Sequence, residues 1–408
     1  MLDQKITGKN LLRLTSFKDI IRFKLGRKRE DYIKNLEVVA SNIVNENCDF
    51  SDLSFYERKG KKIFTPNSIE SVYSLRYVNK ILGRIYKVKQ SDRDIITKQV
   101  NSLVSDTSPY TIIKGDIENF YESIPRESLI SKIESNRILS YYNRRMISRI
   151  FSCDKISSTL GLPRGISISS SLSELYIRDF DRYIRTLDGV YYYARYVDDF
   201  IIFCHKNSNE TLIKTEEMLK HLRLSINHKK TRIIKSDRLF SGNESLKFLG
   251  YEHVFNSNKI ISIRISKNRI RKIKTRIALS FLDYAKNGNI PLLCSRLKFI
   301  TGNYSIAEPS QSNDDSKGLM AGFYYNNKNI TDLSQIVELD RFLMKLSRSK
   351  RGSIYRAVGA TNMRLACIAT QGISFDKGFK RRKVYHIDKS DFLKIKDCWK
   401  REDLYEKR

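Results

Sequence analysis

From Val190 to Cys204 the chain reads Val-Tyr-Tyr-Tyr-Ala-Arg-Tyr-Val-Asp-Asp-Phe-Ile-Ile-Phe-Cys, two runs of β-forming residues interrupted only by Asp198-Asp199. Aromatic and β-branched side chains suit a pleated, half-buried surface, and the aspartates fall where a tight turn would close a hairpin. A hairpin apolar along both arms needs further strands beside it and helices against it.

The flanking segments supply those partners. Ser167–Leu187 keeps Ile168, Leu172, Leu175, Tyr176, Tyr183 and Leu187 on one helical face, and Glu210–Leu222 reads as a second helix. Thr111-Ile-Ile113 is a short strand running into Lys114-Gly115-Asp116, Leu224–Ile234 contains a strand, and Leu246–Val254 is another. Strand, helix, hairpin, helix, strand predicts a split βαβ sheet with helices on one face. Apolar residues three or four apart predict helices within residues 1–60 (Leu11–Leu25 and Tyr32–Val44), 69–105 and 126–150, while Gly161–Gly165 is a loop. Beyond Ile265 an apolar stripe of Ile270, Ile273, Ile277, Phe281 and Tyr284 predicts a helix. A polar break at 306–318, a helix at 330–346 and a charged tail at 376–408 complete the reading.

Charge narrows the partner. The 408 residues carry 76 Lys+Arg against 45 Asp+Glu, a net charge of +31. A field this positive draws polyanions, nucleic acid before an anionic membrane surface. From Lys259 to Lys298 eleven cations face one acid, Asp283; a merely solvated face normally mixes both signs, so this helix is expected to follow a phosphate backbone. The 40% apolar share fills a real core, and the length suits two or three structural units. No apolar stretch approaches the roughly 20 residues of a membrane-spanning helix, so no membrane role is expected. Residues 1–10 show no secretory signal. Six scattered cysteines without a CxxC pair argue against a zinc module or disulfide framework, and for a reducing, cytoplasmic home.

Three features carry chemistry. Asp198 and Asp199 at a hairpin tip repel each other, and hard oxygen ligands of this kind suit Mg²⁺; read alone, the pair also suits a solvated turn. Asp116 ends the 111–113 strand, where the sheet would set it beside the tip; alone it is as well explained as a helix N-cap. Together the three carboxylates can hold two metals for phosphoryl transfer. Gly161, Pro163 and Gly165 form a stiff loop opening a helix, which lets backbone approach a flat partner, or is an ordinary helix entrance.

Asp116 with Phe120-Tyr121, Gly161-Leu-Pro-Arg-Gly165, Tyr196-Val-Asp-Asp199 and Leu246-Lys-Phe-Leu-Gly-Tyr251, in this order, resemble the palm motifs of reverse transcriptases across residues 55–255. The resemblance implies an α+β right-hand polymerase with fingers, a split-βαβ (RRM-like) palm and a helical thumb. Residues 1–54 would be a helical N-terminal extension, 55–255 fingers and palm (fingers about 55–110 and 122–160), 256–350 a basic helical thumb and 351–408 a basic C-terminal segment. It implies Asp116, Asp198 and Asp199 as catalytic ligands of two Mg²⁺ ions, with Mn²⁺ as an alternative. Tyr121 would block a ribose 2′-OH and so favour dNTPs. Arg93, Arg164, Gly165, Lys229 and Lys230 would surround the nucleotide, with both lysines candidates for the triphosphate. Phe248, Leu249, Gly250 and Tyr251 resemble a primer grip, and Lys267, Arg269, Lys272 and Arg276 would line the nucleic-acid backbone. Many family members have Gln where this chain has Arg164, whose guanidinium could stack on a base pair or bind phosphate.

No integrase, ribonuclease H, His-Asn-His or retron signature accompanies these motifs. Ser91-Asp-Arg-Asp-Ile-Ile96, Asp116-Ile-Glu-Asn-Phe-Tyr-Glu-Ser-Ile124 and Tyr193-Ala-Arg-Tyr-Val-Asp-Asp199 resemble the defence-associated, antiphage reverse transcriptases of bacteria, the smaller enzyme of the paired type 3 system among them. That implies a structured noncoding RNA template, a DNA product, a partner reverse transcriptase or homo-oligomer, and the bacterial cytoplasm. Two alternatives stay open: a template-independent terminal nucleotidyltransferase, primed on protein if one of the 23 tyrosines serves, and an RNA-binding scaffold with an inactive palm. The intact Asp116, Asp198 and Asp199 speak against the scaffold.

Overall fold

A computed structural model describes residues 4–45, 47–58, 60–255, 261–306, 319–385 and 394–400. The chain divides into two compact units, Met1–Ser236 and Asp237–Arg408. Among the described residues no helix is long and apolar enough to cross a membrane. All six cysteines are free thiols.

In the first unit Thr111–Asp116 lies between Asp199–Cys204 and Arg232–Lys235, and Val190–Tyr196 forms the outer strand beyond Asp199–Cys204; every pairing is antiparallel. This is the split βαβ order expected from the sequence. Helices Ile168–Arg185 and Ser208–His221 pack on it, and Ile113, Phe200, Ile202 and Cys204 join Leu172, Leu175, Phe180 and Leu219 in one core. The other side of the same strands carries Ile112, Ile201 and Phe203, also fully buried, with the rings of Tyr110, Tyr191 and Tyr192 around Phe203. The Tyr192 hydroxyl reaches Gln99 of helix Arg93–Val104 at 3.0 Å.

The N-terminal helices surround Ile69–Ile85, and two expectations change here. Leu11–Leu25 is not one helix but Gly8–Leu12 and Phe17–Phe23. Asp19 accepts from the backbone and hydroxyl of Ser16, both at 2.7 Å, so a capping box restarts the chain where apolar spacing alone runs on. Residues 54–58, expected within the helical stretch 1–60, are a strand instead: Ser54–Arg58 pairs with Lys61–Thr65 in a hairpin, as Phe55, Tyr56, Ile63 and Phe64 favour.

The second unit opens with a three-stranded meander, Leu246–Phe248, Tyr251–Phe255 and Ile261–Ile265. The single strand expected at Leu246–Val254 is thus a hairpin, folded at Leu249 and Gly250, where φ is 46° and 83°. Two successive positive φ angles are what a tight two-residue hairpin turn requires. Helices Lys267–Asn287, Ile290–Thr301 and Ser334–Ser347 follow, and the expected stripe of Ile270, Ile277, Phe281 and Tyr284 lies in this unit's core. The basic C-terminal segment expected at 351–408 also holds helices with buried apolar residues. Helices Ser353–Val358, Ala360–Ala369 and Phe375–Phe379 bury Val358, Met363, Phe375 and Phe379, and Trp399 donates to the Arg276 carbonyl at 3.2 Å. Apolar residues interspersed among the charges were enough to anchor it. The polar break and most of the remaining tail (307–318, 386–393 and 401–408) lie outside the described residues.

Candidate active site

The end of the Thr111–Asp116 strand is stitched on both sides. Asp116 stands directly opposite Asp199 in the ladder, and the Ile117 N–H donates to the Asp198 carbonyl at 2.9 Å. On its other side the Asn227 N–H donates to the Asp116 carbonyl at 2.7 Å and the Glu118 N–H to Ser225 at 2.8 Å. Asp116 and the Asp198-Asp199 pair, distant in sequence, are therefore neighbours because a central strand and a hairpin end at the same level. Asp116 is buried, and Asp198 and Asp199 are half-buried. The hairpin turns at Val197-Asp198, and Val197 has φ 60°, an unusual conformation for a β-branched residue.

Electrostatics make the cluster costly without a cation. Burial pushes Asp198 above its usual range, and the nearby Asp116 adds to that. Burial also pushes Asp199 from 3.8 up to about 6, helped by repulsion from Asp198 and opposed by Lys114. Lys230 partly answers the charge: its Nζ donates to Asp116 Oδ1 at 2.9 Å and Oδ2 at 3.0 Å, which raises its own pKa. Of the two lysines left open by the sequence, Lys230 is the one that meets a carboxylate. Among the described residues no three His, Cys, Asp or Glu side chains stand ready to hold one ion. The donor set is all oxygen, which fits a hard divalent cation, and such an ion would take the place on Asp116 that Lys230 now holds.

The Asp199 shift gives a testable sign. A carboxyl with a raised folded pKa favours folding while protonated and costs stability once ionised. At about 1.4 kcal/mol per pH unit the rise from 3.8 to about 6 amounts to about 3 kcal/mol. In EDTA, Asp199→Asn is expected to be more stable than wild type at pH 7 by up to that amount, with the gain fading between about pH 6 and pH 4. Denaturant midpoints across this range measure it, and a gain that is constant with pH would refute the account.

Tyr121 follows Asp116 on the short helix Phe120–Ser123, and its carbonyl accepts the Leu162 N–H at 2.7 Å. The Arg164 guanidinium lies 5.1 Å from the Tyr121 ring centre and clasps Glu122 through Nε at 2.6 Å and Nη2 at 3.1 Å. That grip raises the Arg164 pKa. Glu122 also takes Lys61 of the 54–65 hairpin at 3.2 Å, and the Phe64 N–H donates to the Arg164 carbonyl at 2.8 Å. The hairpin is thereby docked on the loop carrying Gly165. Sequence alone does not single out Lys61 or Glu122; a basic residue between β-forming runs was the available signal. Arg93 heads helix Arg93–Val104, half-buried, and Lys229 is exposed.

In the second unit Gly250 lines a cavity of about 410 Å³ with Arg269, Lys272 and Ser266. Two groups the sequence predicted separately, Phe248–Tyr251 and the basic helix, thus meet there. Lys267 is exposed beside Arg271 and Lys274, while Arg276 stacks 5.4 Å from the Trp399 ring centre.

Residues 33–253, more than half of the chain, match the family described as reverse transcriptase (RNA-dependent DNA polymerase). A solved structure of apo telomerase from Candida tropicalis, truncated from its C-terminal domain, is similar at 13% identity and TM-score 0.40. The match covers 57% of this chain and 60% of that one. No curated protein matches the chain.

Proposed function

This chain belongs to the reverse transcriptase family, and on that premise we propose that it copies RNA into DNA by adding dNTPs to a 3′ hydroxyl. The observation that carries the reading is the ladder pairing of Asp116 with Asp199, with Asp198 tied to the same strand end. Asp116, Asp198 and Asp199 would hold two Mg²⁺ ions, or Mn²⁺ in their place, whose charge activates the attacking hydroxyl and stabilises the leaving oxygen. Lys230, released from Asp116, turns its ammonium to the triphosphate, with Lys229 and Arg93 as further cations. Tyr121 lies under the sugar and excludes a 2′-OH, while Arg164 and Gly165 shape the pocket beside it.

In this reading the four-stranded sheet is the palm, and the 54–65 hairpin with the helices of 55–110 and 122–160 makes the fingers. The helices of 256–350 form the thumb. Phe248–Tyr251 grip the primer, and Lys267, Arg269, Lys272 and Arg276 follow the backbone. The strings around Arg93, Asp116 and Arg195 support a place among the bacterial antiphage enzymes, with a structured noncoding RNA as template and a partner reverse transcriptase.

Primer extension on an RNA template tests the reading. Wild type is expected to incorporate dNTPs in a way that RNase treatment of the template abolishes. Tyr121→Ala is expected to raise ribonucleotide use relative to dNTPs by about tenfold to a hundredfold, the usual worth of a steric pocket contact. Synthesis indifferent to the template would refute RNA copying, and an unchanged sugar preference would refute the role of Tyr121.

A further inference from the structure

Arg195, on the outer strand three residues before Asp198, has a side chain only 3% exposed. A guanidinium carries five N–H donors, and here every one has an acceptor. Nε donates to Asp181 Oδ1 and Nη2 to Asp181 Oδ2, both at 2.8 Å. Glu174 accepts from Nη2 at 2.7 Å and from Nη1 at 3.2 Å. The remaining Nη1 donor reaches the carbonyl of Val197 at 2.8 Å. Glu174 and Asp181 project from the same face of helix Ile168–Arg185, two turns apart. The Tyr193 hydroxyl donates to Asp181 at 2.6 Å, and the guanidinium sits 6.0 Å from the Phe120 ring centre, just downstream of Asp116.

Stability does not explain this investment. Burying an arginine with two carboxylates costs several kcal/mol of desolvation per ion, and apolar residues of similar volume often hold such elements as well or better. What they could not do is engage the Val197 carbonyl. Val197 is held at φ 60°, and a residue in such a region costs about 1–3 kcal/mol and persists only where its surroundings impose it. The two carboxylates fix the plane of the guanidinium, and the fifth donor then fixes the turn. On the far side of Asp198 the Ile117 N–H holds its carbonyl, so the turn is pinned before and after that residue.

We propose that Arg195 is a positioning residue for polymerisation: braced by Glu174 and Asp181, it clamps the strained Val197-Asp198 turn and so holds Asp198 in place opposite the Asp116 strand. This rests on Asp198 being catalytic, as proposed above. Arg195→Lys keeps the charge but cannot serve two carboxylates and the carbonyl together. The triple variant Arg195→Met, Glu174→Gln, Asp181→Asn removes the buried charges and carries the test where Arg195→Lys fails to fold. Both are expected to lower kcat by about tenfold to a hundredfold, as a misplacement of order 1 Å does, with KM for dNTP and RNA affinity unchanged. Hydrogen exchange is expected to accelerate at the amides of Ile117 and Asp199 but not in the sheet interior. Wild-type kcat and wild-type exchange in a folded triple variant would overturn the proposal. Asp198→Ala, assayed in parallel, separates the two readings. If it stays active, the catalytic reading fails; if it is dead while the triple variant is fully active, only the clamp fails.

Discussion

Replacing Asp198 and Asp199 together by alanine is expected to abolish dNTP incorporation while leaving RNA binding intact. Metal-held carboxylates at such a centre supply several kcal/mol of charge stabilisation, and each 1.4 kcal/mol is a factor of ten in rate, so the loss should be on the order of 10³-fold or more. The fold should survive, because the substitution removes buried charge: burial first, and repulsion from Asp198 second, already push Asp199 up to about 6. RNA affinity should hold, since a chain of net charge +31 loses only negative groups. Primer extension and fluorescence anisotropy at matched salt measure the two properties separately. Undiminished synthesis would remove the catalytic assignment; lost RNA binding would mean that the carboxylates shape the site rather than serve it.

Gly161→Ala is expected to destabilise the first unit by about 2–5 kcal/mol, through backbone strain and overlap together. Gly161 has φ 59°, and an added Cβ would fall inside contact distance of the Tyr121 carbonyl and the Glu122 backbone. Neither neighbour can swing away. The Tyr121 carbonyl holds the Leu162 N–H, and Arg126 ties the loop down through the carbonyls of Gly161 at 2.5 Å and Ile156 at 2.9 Å. A left-handed φ costs about 1–2 kcal/mol for a non-glycine residue, and overpacking about 1–3 kcal/mol more. Gly60, in the same unit at φ 71° but with open space around it, is the control: Gly60→Ala should show the backbone cost alone. Equal denaturant midpoints for the two variants would mean that the close approach to Tyr121 is not a constraint. Synthesis by Gly161→Ala should fall as well, because the displaced backbone is that of Tyr121.

Where a local pattern decides the structure, the sequence was sufficient. The hairpin around Asp198-Asp199 and the helix opened by Ile168 rest on β propensity and 3.6-residue spacing, and they stand within two residues of where those patterns put them. Local patterns failed where a single side chain or an unusual φ interrupts them, as at Ser16 and Asp19 or at Leu249-Gly250. The site divides along the same line. The three aspartates could be read from the order of motifs, but choosing Lys230 over Lys229 required knowing which ammonium the Asn227 turn points at Asp116. Glu174 and Asp181 look like solvent-facing charges on an amphipathic helix; nothing local says that both meet one buried arginine.

The central position of the Thr111–Asp116 strand also has a consequence for the order in which the protein is made. Its two neighbours in the sheet, Asp199–Cys204 and Arg232–Lys235, are both encoded downstream. At about 5–20 residues per second the ribosome needs roughly ten seconds after Asp116 before the last of them exists. For most of that interval both edges of an apolar strand lack their partners, and for the rest one does, the circumstance in which nascent chains aggregate. The arrangement that brings distant carboxylates together therefore makes the centre one of the last parts of its unit to assemble, and a chain halted before residue 232 has no complete sheet to hold them.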